Sequence, residues 1–278
     1  MDVFTAGLRN HSRNPCRLSY DLPATLYTNG GLKRSAIVYG TAVSLAPFLS
    51  SDKSGTFYGM HDLFLILHLL LFCYWLGGDI GVFYSSGFAA DPRLTIEARM
   101  TAAKIMLNLD VVPRICGAVM LTVGGVLSQF VGVEYPAWQM AGIILLAPAW
   151  LALELILHFK HDTPLGRGLQ KFDGPFKWAI VIGCIVWVGW LFANGRLSEA
   201  PWVGYKILVF AAIVFCSLMI NKTIGPYIVG IQRIAVGEIN DADSAAMAAS
   251  LRRVKWAVIG IWVGLVIAAM IGVVKPGG

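Results

Sequence analysis

Apolar residues in this chain fall in long, almost unbroken runs separated by short polar segments, with neither the stripe of a surface helix nor the alternation of a strand. A helix of about 20 such residues crosses a bilayer. Six runs meet that length or approach it, at 63–88, 109–131, 140–159, 178–193, 203–224 and 254–274, the fourth being the shortest. The fold class predicted is all-α, a polytopic transmembrane bundle. Two of the connectors also read as helical. Asp91-Pro92 supplies an N-cap and a proline for the first helical position of a segment over 93–107. Asp241 or Asp243 caps a second, alanine-rich helix that runs through Arg252-Arg253 into the last span.

Composition agrees with this class. Hydrophobic residues make up 57% of the 278 and charged ones 14%, against about 25% charged in soluble domains. The net charge of +6 does not point to nucleic acid, because the basic residues cluster in loops. The first loop carries Arg93, Arg99 and Lys104, the third Lys160, Arg167, Lys171 and Lys177, and the fifth Arg233, Arg252, Arg253 and Lys255. The second loop has no Lys or Arg and the fourth only Arg196. Positive loops stay in the cytoplasm, so loops one, three and five lie there and both ends of the six-span unit face out. Spans one and two share a layout with spans five and six, either as a parallel repeat or because topology imposes it. The cysteines are isolated and form no CxxC pair, so neither a disulfide framework nor a zinc cluster is indicated.

Residues 1–59 differ from the rest. They are polar and basic, with one short apolar stretch at 35–50 that glycine and proline interrupt. We read 1–59 as a poorly structured extension, with Met60 as the expected translational start, and 60–278 as the six-helix domain.

Polar residues inside the spans carry the functional signal, because a charge at mid-membrane costs about 2.5–3.5 kcal/mol on insertion scales. At about 1.5 Å per residue, Asp79 on span one, Arg114 on span two and Glu154 on span three fall at one depth in the inner half. They are expected to form a buried ion cluster. The alternative is that Asp110 and Arg114 pair along one helix at i,i+4 while Asp79 faces interfacial water. In the outer half, His68 and Lys206 share a depth. His68 suits a metal or haem iron or a helix-to-helix hydrogen bond, and Lys206 an anionic group or the outer headgroups. Glu154, His158, His161 and Asp162 have spacings that fit either a divalent metal or an ordinary polar helix end. Gly77, Gly78, Gly117, Gly124 and Gly125 leave room for a flat group or for tight helix packing.

His68-x6-Trp75-Leu76-Gly77-Gly78 resembles the first-helix signature of the CopD-like and HemJ-like membrane proteins. That superfamily includes copper-resistance permeases and HemJ-type protoporphyrinogen oxidases. Trp202-x3-Lys206-x2-Val209 resembles the lysine-bearing helix of the HemJ type, and Val273-Val274-Lys275-Pro276 its C-terminal end. The resemblance implies haem b, with His68 as the iron ligand, Trp75 and Gly78 beside it and Lys206 as the residue acting in catalysis. The chain has six spans where HemJ-type proteins have four, and Ser217-Leu218 stands where that type carries a second histidine. It therefore resembles a distant member of the superfamily.

The reading expected first is a haem-b-associated redox protein of a bacterial-type inner membrane, with an electron-transfer or membrane-complex partner, or a second copy of itself, in the bilayer. The alternatives are a copper or small-solute permease and a non-catalytic accessory subunit. Soft Cu(I) favours clustered Met and Cys, and the methionines here are scattered.

Overall fold

The computed structural model describes residues 55–160 and 163–277, with side chains from residue 59 onward. The described residues form helices α1 (Gly55–Ala90), α2 (Ile96–Leu109), α3 (Val111–Gln129), α4 (Ala137–Phe159), α5 (Pro164–Ala193), α6 (Pro201–Thr223), α7 (Gly225–Val236) and α8 (Asp241–Val274), with no strand among them. Six helical segments are long and apolar enough to cross a membrane, α2 and α3 running together as one of them. The protein is a multi-spanning membrane protein. The large apolar side chains left exposed along α1, α4, α5 and α8 are those that a bilayer would cover. The expectations for residues 1–54, and for His161 and Asp162, lie outside the described residues; α1 itself begins at Gly55.

Helix starts differ from the sequence expectation in instructive ways. Asp91 does not cap α2. Its carboxylate is taken by Arg93, whose Nη2 donates at 2.7 Å, and these bonds hold the Asp91 carboxyl down at about 2. Thr95 caps instead, its hydroxyl accepting from the amide of Ala98 at 3.3 Å. Asn240 caps α8 in a reciprocal capping box with Asp243. The fourth span is much longer than expected. Thr163 and Pro164 start α5 well before Trp178, so Lys177 and Asp173 belong to the span and not to the loop.

α1 packs on α2 and α3, α3 on α4, α5 on α6, and α6 on α8, while α8 also meets α1. The main core lies where these helices converge, around Trp75, Met120, Trp150, Phe210, Ile213 and Ile261. The layout of α1–α2–α3, a span, a short helix and a span, recurs in α6–α7–α8, and the two short helices touch. Their contact is a second core around Ala103, Met106, Tyr227, Ile231 and Met247. There Arg99, 4% exposed, donates from Nε to the carbonyl of Ala89 at 2.9 Å and reaches Ser244 at 3.4 Å. Tyr227 donates to the carbonyl of Ser86 at 3.0 Å. α1, α2, α7 and α8 are thus locked together at one end of the bundle. The opposite end is closed by Val133, Leu191, Leu197, Ala200 and Val203.

Close helix approach depends on small residues. A Cβ on Gly204 would stand 2.8 Å from Leu197 and 2.9 Å from Phe192, whereas one on Gly189 would meet nothing within 4 Å. Gly204→Val is therefore expected to destabilise the protein by about 1–3 kcal/mol, and Gly189→Val to leave it nearly unchanged. Thermal unfolding of the two variants in detergent checks this; equal losses would contradict it.

Candidate functional site

The buried charges collect in one place. Glu154 on α4 is 3% exposed and is shared by two cations from neighbouring helices. Arg114 on α3 reaches it at 3.4 Å and Lys177 on α5 at 3.1 Å. Each cation has a second carboxylate one turn away along the chain. Asp110 accepts from Arg114 at 2.7 Å and Asp173 lies 2.8 Å from Lys177, the i,i+4 spacing that faces two side chains together. Trp150, one turn before Glu154, donates its indole N–H to that carboxylate at 3.1 Å. The result is a ladder, Asp110–Arg114–Glu154–Lys177–Asp173, in which signs alternate and three helices are tied.

Asp79 lies apart from this ladder. Its carboxylate accepts from the indole of Trp262 on α8 at 2.7 Å, and among the described residues no cation pairs with it. It nevertheless faces the same space as the ladder. A cavity of about 120 Å³ is lined by Asp79, Asp110, Arg114, Glu154 and Lys177, by the walls of Trp75 and Trp150, and by Ser217 and Asn221 on α6. The three residues expected to cluster therefore share a cavity, but only Arg114 and Glu154 pair. The i,i+4 pair offered as an alternative is present as well. Lys177, Asp173 and Trp262 escaped the sequence reading. The Asp173–Lys177 spacing was visible, but both residues counted as loop.

The outer pair is arranged differently. The Nδ1 of His68 is buried without a hydrogen-bond partner among the described residues, and the charge of Lys206 lies within electrostatic reach of the ring. The Lys206 ammonium rests against Gly272, 2.9 Å from where a Cβ would stand, and 5.9 Å from the Trp202 ring centre. No ion pair holds it among the described residues.

A haem b between α1 and α3 would need a flat slot beside His68. Gly117 and Gly124 could border one, but both faces are filled. The Trp75 ring stands 3.3 Å from a Cβ placed on Gly117, and the His68 imidazole 3.4 Å from one on Gly124. Gly78 is closed by Pro113 at 3.1 Å. These glycines let rings and backbone approach, and the seam does not fit a macrocycle. Among the described residues no group of three or more His, Cys, Asp or Glu side chains is placed to hold a metal ion.

Removing the shared carboxylate should be far worse than removing a flanking one. Glu154→Gln leaves Arg114 and Lys177 short of a counter-charge, and a broken buried pair costs about 3–5 kcal/mol. Asp110→Asn acts on a pair about one-third exposed and should cost about 0–1 kcal/mol. Chemical denaturation in detergent compares them; a Glu154→Gln protein as stable as Asp110→Asn would contradict the ladder.

No family model, no curated protein and no solved structure matches the chain.

Proposed function

We propose that the protein is a small-solute permease whose solute occupies the central cavity. The observation that carries this reading is the cavity itself, into which α1, α3, α4, α5, α6 and α8 each send a side chain. Ionisable residues within spans mark solute and ion pathways. In transporters built from repeats, the binding site lies where the repeats meet, and this cavity lies between the α1–α3 and α6–α8 units. Its lining holds no cysteine or methionine, which favours a polar solute over copper. We assign the protein to a bacterial-type inner membrane, with the α2–α7 end in the cytoplasm.

A haem-b redox role is the second reading, and the unpartnered Nδ1 of His68 beside Lys206 favours it. The filled glycine faces of α3 speak against a macrocycle at that seam.

A permease cavity must open to each side in turn. In a cysteine-free background, Ser217→Cys is expected to react with a membrane-impermeant thiosulfonate both in right-side-out and in inverted vesicles. Labelling from one face only, or from neither, would overturn the permease. The absorption spectrum of the purified protein is expected to lack a Soret band. A Soret band abolished by His68→Ala would establish the haem reading in its place.

A further inference from the structure

We infer that the solute is a small organic cation, an alkylammonium of a few carbon atoms, with Asp79 as its counter-charge. This rests on the permease reading of the cavity and names the substrate class. The positive charges that line the cavity are already engaged. Arg114 is bonded to Asp110 and Glu154, and Lys177 to Glu154 and Asp173. An anionic solute would have to break one of these buried pairs.

Asp79 is in the opposite position. It is half-buried, and among the described residues its hydrogen bond comes from a neutral indole, Trp262 Nε1 at 2.7 Å. A carboxylate so placed lacks the cation that buried charges require, and it faces a space large enough to admit one.

The remaining walls choose among cations. Trp75 and Trp150, 7% and 4% exposed, line the cavity, and each makes an edge-to-face contact with Phe210, at 6.1 and 6.3 Å between ring centres. Aromatic faces attract desolvated cations, above all alkylated ammonium ions. They provide no oxygen shell for a bare metal ion. Ser217 and Asn221, on the α6 wall, leave an acceptor each for an N–H.

The full-length protein in nanodiscs, titrated with ethylammonium chloride and followed by tryptophan fluorescence, tests the assignment, with sodium chloride and potassium acetate as controls. A saturable response to ethylammonium alone is expected, weakened about tenfold or more by Asp79→Asn, as befits loss of a buried counter-charge. Saturation by acetate, no response to ethylammonium, or an affinity that Asp79→Asn leaves unchanged would each overturn it. If Asp79→Asn does not yield monodisperse protein, Trp262→Phe carries the test. It removes the indole that competes for the carboxylate and is expected to tighten ethylammonium several-fold; unchanged or weaker binding would count against the proposal. Because labelling of Ser217→Cys needs no solute, the permease can stand when the cation assignment falls, and saturable binding can stand when labelling fails.

Discussion

A charged carboxylate in the interior of a membrane bundle is stabilised by meeting a cation, and Glu154 meets two. Its position between Arg114 and Lys177 sets the mutual placement of α3, α4 and α5, because a charge displaced by one turn of helix would lose its partner. Taking a charge out of water costs several kcal/mol even after relaxation, and only close geometry with further hydrogen bonds offsets that. The Trp150 indole and the two flanking aspartates supply those bonds. Each addition uses the i,i+4 spacing of a single helix, so the ladder asks for just two contacts between helices.

The same requirement shapes the cavity. Paired side chains of the ladder line it, while glycine positions elsewhere let the helices approach. Gly117 receives the Trp75 ring and Gly78 receives Pro113, so α1 lies tight against α3 with Trp75 as one wall of the cavity. Asp79, one turn further along α1, then enters a space in which the available cations are already engaged. The ladder and Asp79 are consequences of one packing arrangement, with opposite meanings: the first holds the protein together, and the second leaves a charge for a ligand to meet.

The helical class was legible because hydrocarbon imposes a length and a composition that a run such as 254–274 displays openly. Depth grouped Arg114 with Glu154, which do pair. Depth could not give azimuth, which is why Asp79 was grouped with them although it turns toward Trp262 on α8. Lys177 was missed for a different reason. Hydropathy ends the fourth span where the charges begin, yet a helix started by Thr163 and Pro164 carries Lys177 inside, where Glu154 and Asp173 neutralise it. The short helix α7 had no signature beyond the Gly225-Pro226 start. His68 and the glycines near it kept two meanings in the sequence, space or contact; Gly117 and Gly124 are in contact with the Trp75 and His68 rings, and Gly77 meets nothing within 4 Å.

Double-mutant cycles test the central claim most directly, because they isolate a pairwise interaction from the cost of each single change. Unfolding free energies in detergent would be measured for Glu154→Gln and Lys177→Met, singly and together, and for Asp79→Asn and Arg114→Met in the same way. The account predicts a coupling of about 2–3 kcal/mol, near the top of the usual range, between Glu154 and Lys177 and one near zero between Asp79 and Arg114. A negligible Glu154–Lys177 coupling, or a large one between Asp79 and Arg114, would contradict it.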